Sequence, residues 1–363
     1  MIFIFGAILL IAIATYLILN SDKFGKLPKG KRLEKIKSSK NYRNGSFQNR
    51  EFTPDLAEDA NYFTVLKEFL FSQKNKEPQS PIPALKTNLK ALNPSEDALV
   101  WFGHSSYFFQ TDGKKFLIDP VFSGHASPFS FSIKAFAGSD IYTADDMPDI
   151  DYLIISHDHW DHLDYETLIK LRPKIKKVVC GLGVGEHLEF WGFNSENIIE
   201  KDWDEFIEPE EGFEINTVTA RHFSGRGLKR NQSLWMAYVL QTPSKRIFIG
   251  GDSGYGKHFA ETGAKFGPFD LAILENGQYN KAWKYIHTLP EEFIKGAIEL
   301  KAKRVLPVHS SKFALANHSW SEPLELLIDN NKEGLLNIAT PKIGEIVNLR
   351  DNNQKFTHWW KEN

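Results

Sequence analysis

Hydrophobic and polar positions divide the chain into contrasting stretches. Ile2 to Leu19 is apolar and uncharged. As a helix rising about 1.5 Å per residue, it just reaches the roughly 30 Å of a bilayer's hydrocarbon core. The pattern then inverts: residues 21–55 are polar and rich in Lys, Asn and Ser, which predicts an extended connector. From Pro54 to Gln73 apolar residues return at helical spacing (Leu56, Ala60, Phe63, Val65, Leu66, Phe69, Leu70), predicting one amphipathic helix. Pro78, Pro81 and Pro83 then break it.

Short β-rich runs begin near Ala98: Ala98–Phe102, Tyr107–Gln110, Lys115–Ile118 and Tyr152–Ser156. Beyond Asp164, strand-like runs at Glu214–Ala220, Leu234–Gln241, Arg246–Gly250 and Arg304–Val308 alternate with helix-like ones. The latter lie at Tyr165–Leu171, Glu186–Trp191, Gly256–Phe266 and Pro290–Lys301. Mixed sheets covered by helices, an α/β architecture, follow from that alternation. The expected organisation is an apolar anchor (1–20), a basic connector with an amphipathic helix (21–95), one main folded body (96–350) and a C-terminal tail (351–363).

Composition narrows the picture. A chain of 363 residues with 42% hydrophobic content can bury a large core. A net charge of −2 argues against a general nucleic-acid binder, since there is no overall basic balance to attract a phosphate backbone. The single Cys180, inside an apolar run, excludes an intrachain disulfide and reads as a small buried hydrophobe. Eight cations follow the anchor: Lys23, Lys26, Lys29, Lys31, Arg32, Lys35, Lys37 and Lys40. No Lys or Arg precedes it, and it exceeds the roughly 7–15 residues of a signal peptide's apolar region. These features predict an uncleaved single-pass membrane anchor with the catalytic part on the cytoplasmic side. Anionic lipid would add about 1 kcal/mol per basic residue held near the surface.

The densest chemistry lies in six consecutive positions, His157, Asp158, His159, Trp160, Asp161 and His162, directly after an apolar run. Imidazole and carboxylate ligands suit Zn²⁺ at about 2.0–2.2 Å, but one stretch cannot enclose a metal. Three more candidates each follow an apolar run: His222, Asp252 and His309. Arg221, Arg226, Lys229 and Arg230 surround His222, and such a loop suits phosphate or another anion. Gly181, Gly183 and Gly185 have the spacing of a strand-to-helix turn rather than a nucleotide-binding loop.

The order H-x-H-x-D-H, His, Asp, His resembles the metallo-β-lactamase superfamily. The words at Trp101–His104, Leu117–Pro120, Ser156–Tyr165, Gly251–Tyr255, Phe266–Asp270 and His309–Ala316 narrow the resemblance. They are similar to the N-acylphosphatidylethanolamine-hydrolysing phospholipase D branch and its bacterial relatives, over roughly residues 95 to 350. The resemblance implies a four-layer αβ/βα sandwich holding two Zn²⁺ per chain. His157, His159 and His222 would hold one ion, and Asp161, His162 and His309 the other, with Asp252 bridging. Asp161 and Asp252 would also be catalytic, compensating the charge around a shared hydroxide that acts as nucleophile. Alternation along an extended backbone points His157 and His159 the same way, consistent with the split.

Asp119 resembles an acid accepting a ligand histidine's proton, and His104 a structural neighbour. Arg226, Arg230, His287 and Tyr279 are the expected substrate-binding residues. Glu275 and Ile286 depart from the eukaryotic pattern, being charged where it is apolar and apolar where it is polar. The implied activity is a membrane-anchored dizinc phosphodiesterase of phospholipase D type, acting on N-acylphosphatidylethanolamine or related phospholipids. The alternatives are a lactonase or other carbonyl hydrolase on a soluble anionic metabolite, and a metal-stabilised membrane scaffold. The expected partners are that substrate and the membrane, with no nucleic acid.

Overall fold

Two mixed β-sheets face each other across the core of the chain. The computed structural model describes residues 2–71 and 75–361. The N-terminal part contains α1 (Ile2–Leu19), α2 (Gly30–Ser38), a hairpin of β1 (Tyr42–Arg43) and β2 (Ser46–Phe47), and α3 (Tyr62–Phe71). The first sheet is built from β3 (Ala98–Trp101), β4 (Tyr107–Thr111), β5 (Lys114–Ile118), β6 (Ile150–Ile154), β7 (Ile175–Gly181) and β8 (Ile198–Lys201). Helices α4 (Tyr165–Leu171) and α5 (Val184–Phe190) connect its later strands.

The second sheet comprises β9 (Phe206–Glu210), β10 (Phe213–Val218), β11 (Ala237–Gln241), β12 (Arg246–Ile249), β13 (Leu271–Glu275) and β14 (Val305–Val308). Helices α6 (His258–Phe266), α7 (Pro290–Glu299) and α8 (Glu322–Asn330) accompany it. The last strand, β15 (Ile346–Asn348), returns to the first sheet and pairs antiparallel with β3.

Period-2 alternation sorts the first sheet's side chains between two cores. Tyr107, Phe109, Phe116, Ile118, Tyr152 and Ile154 point into the cluster shared with the second sheet, whose β10, β11 and β12 supply Ile215, Val239 and Ile247. Phe109, Phe116 and Tyr152 stack in a row there, with ring centroids 4.8 and 5.3 Å apart. Phe108, Leu117, Leu153 and Val178 point outward onto Leu168 and Leu171 of α4 and Val184 and Leu188 of α5. Cys180 is buried in this outer layer, as its neighbours predict. Over the second sheet, Phe259 of α6 and Phe293 of α7 close around Phe248 and Leu274.

The N-terminal part differs from its expected form. Among the described residues no helix is long and apolar enough to cross a membrane. The expected spanning anchor is therefore corrected: α1 has 18 residues and presents exposed side chains such as Phe5, Leu10 and Tyr16. Residues 21–55 are not an open connector, because α2 and the β1–β2 hairpin dock on the domain. Arg32 of α2 pairs with Glu186, Glu189 and Glu200 at 2.7, 2.9 and 2.6 Å, and Phe47 is fully buried.

The amphipathic helix starts at Tyr62 rather than Pro54. The Ala57 N–H instead donates to Ala282 O across the domain, and Asn61 caps the first turn through Thr64 N. The predicted end of that helix, Ser72 and Gln73, lies outside the described residues. The C-terminal segment is not a free tail, since Trp359 and Trp360 are buried in the main core.

Candidate metal centre

The candidate ligands leave the two sheets at strand ends. His157 lies three residues past β6, His222 four past β10, Asp252 three past β12, and His309 immediately follows β14. The sheets must approach closely for these ends to meet. Gly251, at φ +60°, makes this possible: a Cβ there would sit 2.9 Å from Ser156 Cβ and 3.1 Å from Met236 O. The sequence thus places its glycine pair where the Asp252 loop crosses the His157 loop.

All seven residues expected to bind metal converge. His157 Nε2 lies 2.8 Å from His159 Nδ1, which lies 3.3 Å from His222 Nε2. Asp161, His162 and His309 form the neighbouring group, joined by His104. Asp252 stands between the two groups. Its Oδ2 is 3.2 Å from His162 Nε2, 3.7 Å from His222 Nε2 and 3.9 Å from His157 Nε2, while its Oδ1 is 3.1 Å from His309 Nδ1.

This donor set fits a pair of cations. His162 Nε2 and Asp252 Oδ1 are buried without a hydrogen-bond partner, so atoms that need a partner point into the cluster. Burial, and after it the neighbouring imidazoles, hold His157, His222 and His309 well below the ordinary histidine range. They are neutral with a lone pair available, as ligation requires. Burial also lifts Asp252 to about 6 against the pull of His162. Burial opposes charge on His162 as well, but Asp252 and Asp161 outweigh it and push that imidazole well up. The two carboxylates thus demand positive charge at the centre of the cluster. His and Asp donors are compatible with zinc but do not fix the metal's identity.

Supporting groups orient the ligands. Asp119 Oδ2 lies 2.8 Å from His162 Nδ1 and accepts from Ser156 Oγ at 2.6 Å. His104 Nε2 lies 2.8 Å from Asp161 Oδ2, a role more direct than its sequence context indicated. Its signal was a histidine three residues past β3 and directly after Gly103, where it adopts φ +52°. The Asp158 carboxylate places its hydrogen bonds away from the ligand imidazoles. It accepts from Gly225 N at 2.6 Å and Ser233 Oγ at 2.7 Å, with His187 Nε2 at 3.3 Å.

The four expected substrate-binding residues separate. His287 is at the cluster, its ring 5.0 Å from His222 and 5.2 Å from His309. Its Nδ1 lies 2.7 Å from Glu275 Oε2. Burial pushes Glu275 well up, and that charged residue ending an otherwise apolar strand was the signal for the pairing. Arg230 lies at the rim, 3.1 Å from Asp55 and over the Phe223 ring, which separates it from His159.

Arg226 requires a correction. It is only 4% exposed, and its donors are spent on backbone carbonyls of Lys23, Asp158 and Leu163. Its guanidinium lies 3.9 Å from the Trp160 ring centroid, so it ties loops together instead of meeting an anion. Tyr279 is also turned elsewhere. It stacks on His318 at 4.7 Å and lines a groove of about 820 Å³ beside α3.

Comparison with known proteins agrees with this geometry. A model described as the Beta-lactamase superfamily domain matches residues 114–310. Rv0906 of Mycobacterium tuberculosis is 35% identical over 331 residues, covering 89% of this chain and 88% of that protein. N-acyl-phosphatidylethanolamine-hydrolyzing phospholipase D 1 of Caenorhabditis elegans is 30% identical over 274 residues, 69% of this chain and 75% of that protein. The metallo hydrolase Igni18 of Ignicoccus hospitalis shares the fold with a TM-score of 0.54 at 20% identity, covering 70% of this chain and 98% of its own.

Proposed function

The chain belongs to the metallo-β-lactamase superfamily and is a metal-dependent hydrolase, and on that premise we propose that it is a phospholipase D-type phosphodiesterase acting at a bilayer surface. The substrate proposed is N-acylphosphatidylethanolamine or a related phospholipid, and the metals two zinc ions. The observation that carries the hydrolase is the convergence of seven His and Asp side chains on one buried cluster with His287 beside them. The Caenorhabditis relative named above supports the phospholipid.

His157, His159 and His222 would hold one ion and Asp161, His162 and His309 the other, with Asp252 facing both. When bound, such a pair supplies Lewis acidity and, by lowering the pKa of water toward about 7, a nucleophile at neutral pH. The chain's own residues do the rest. Asp161 and Asp252 would supply the anionic charge that two dications need for compensation. Glu275 occupies His287 Nδ1, which leaves Nε2 as the ring nitrogen available to a phosphoryl oxygen. Arg230 adds a cation at the rim. Water adds to phosphorus, the ethanolamine oxygen leaves with a proton, and phosphatidic acid and an N-acylethanolamine result.

Surface chemistry where α1 joins the domain supports bilayer access. Leu19, Phe24, Leu27 and Leu228 line one pocket of about 220 Å³ with Lys229. Lys26 lies over the Phe190 ring and Lys23 beside Phe129, which stacks on Phe131. Phe131 is 76% and Leu228 84% exposed, an apolar surface interleaved with lysines that suits an anionic leaflet. On this reading the patch, with the exposed apolar side chains of α1 beside it, lies against the leaflet from the cytoplasmic side.

The test incubates zinc-loaded protein with vesicles containing N-acylated and ordinary phosphatidylethanolamine, followed by mass analysis. Phosphatidic acid from wild type, and none from Asp252→Ala, is the expected result. Opening of a soluble lactone without phosphodiester cleavage would replace this reading with the carbonyl-hydrolase one.

A further inference from the structure

Asn49 lies outside residues 114–310, in the stretch that sequence pattern reads as connector. Its side chain meets both backbone groups of a metal-ligand candidate. Asn49 Nδ2 donates to His222 O at 2.7 Å, and Asn49 Oδ1 accepts from His222 N at 3.1 Å. The reason lies in the ladder: β10 ends at Val218, so the backbone of His222 has left its strand partners and must be satisfied otherwise. One carboxamide supplies both missing bonds, as a neighbouring strand would.

The bracket is itself braced. Trp235 Nε1 donates to the same Oδ1 at 3.1 Å and to Ala220 O at 3.1 Å. Two residues upstream, buried Phe47 donates its N–H to Asn231 O at 2.9 Å. Downstream, Arg221 donates to Phe52 O at 2.7 Å and Thr53 Oγ1 at 3.0 Å. The imidazole has a separate restraint, with His222 Nδ1 lying 2.8 Å from Ile286 O. Backbone and ring of His222 are therefore fixed from opposite sides, one by the N-terminal strap and one by the His287 loop.

We propose that Asn49 is a positioning residue of the metal centre, holding the His222 backbone so that its imidazole meets the ion shared with His157 and His159. The inference rests on the metal-centre reading and not on the choice of substrate. Asn has the donor and acceptor this bracket needs. Asn49→Leu keeps most of the volume and removes both bonds. Asn49→Asp keeps the acceptor for His222 N–H and Trp235 but sets a carboxylate against His222 O.

The experiment titrates metal-free wild type, Asn49→Leu and Asn49→Asp with cobalt(II) against a competing chelator, following the visible ligand-field bands. Wild type is expected to take two ions. In Asn49→Leu one of the two should bind about 10–100-fold more weakly, the usual effect of losing a partner that orients a ligand. The other ion should bind as before. Asn49→Asp should weaken the same ion by a smaller factor, and it decides the matter if the Leu variant does not fold. Two ions bound with wild-type affinity in the variants would overturn the proposal. So would equal weakening of both ions with new protease cleavage in residues 22–58, because that marks general loosening. A wild-type chain that takes no cobalt would instead remove the metal centre itself.

Discussion

Replacing Arg226 with Met separates a loop-locking role from an anion-binding one. The guanidinium makes four hydrogen bonds: Nη1 donates to Asp158 O at 3.0 Å and Leu163 O at 2.6 Å, and Nη2 and Nε donate to Lys23 O at 2.7 and 3.2 Å. Bonds from a charged donor contribute about 1.5–3 kcal/mol each, so the gross loss is about 6–12 kcal/mol. Burial works the other way. It pulls the Arg226 pKa down to about 10, a preference against the charged form of about 3 kcal/mol. Subtracting it leaves about 3–9 kcal/mol, and because Met keeps the length and the contact with Trp160 the expected loss of stability is the lower part of that range, about 3–5 kcal/mol, as for breaking a buried charged arrangement.

Urea denaturation of metal-free protein measures that loss. Turnover on anionic and zwitterionic lipids, compared side by side, should fall by the same factor, because the metal loop and not the substrate has lost its support. A stability change below about 1 kcal/mol, combined with selective loss on the anionic lipid, would refute the reasoning and return Arg226 to the substrate.

Two other predictions concern the same framework. Arg32→Met leaves Glu186, Glu189 and Glu200 facing one another without their cation, and should cost about 2–4 kcal/mol while exposing residues 20–58 to protease; a cleavage pattern like wild type would sink it. For Asp158, burial favours the protonated form, but His187 and the bond from Ser233 outweigh it and hold the carboxyl well below its ordinary range. A depressed carboxylate contributes stability that is full above the unfolded value of roughly 4 and is lost as pH falls through the folded one. The stability gap between wild type and Asp158→Asn should therefore be full at pH 5 and narrower at pH 3.5, and a gap that widens on acidification would contradict this.

Local patterning carried much of the architecture. Strand-like apolar runs at Tyr107–Gln110, Lys115–Ile118 and Arg246–Gly250 became β4, β5 and β12, and Tyr165–Leu171 became α4 with Asp164 as its cap. Strands without a sharp signature were harder. β8 and β9 are half-buried and carry charges, and β15 is three residues long, so each is defined by the strand it pairs with. The connector was misread for the same reason. Its Lys, Asn and Ser residues look solvated in isolation, but the partners of Arg32, Asn49 and Thr53 lie more than 150 residues away.

By itself the sequence determined which side chains would gather: ligand-type residues placed just past apolar runs emerge at sheet ends, because a strand that ends at the edge of a buried sheet delivers its next residues there. Only the tertiary structure decided what each polar group spends its bonds on. Arg226 and Arg230 stand four residues apart in one basic loop, yet the first is saturated by carbonyls and the second reaches the rim. Burial and geometry set that difference, and both depend on what the rest of the chain brings alongside.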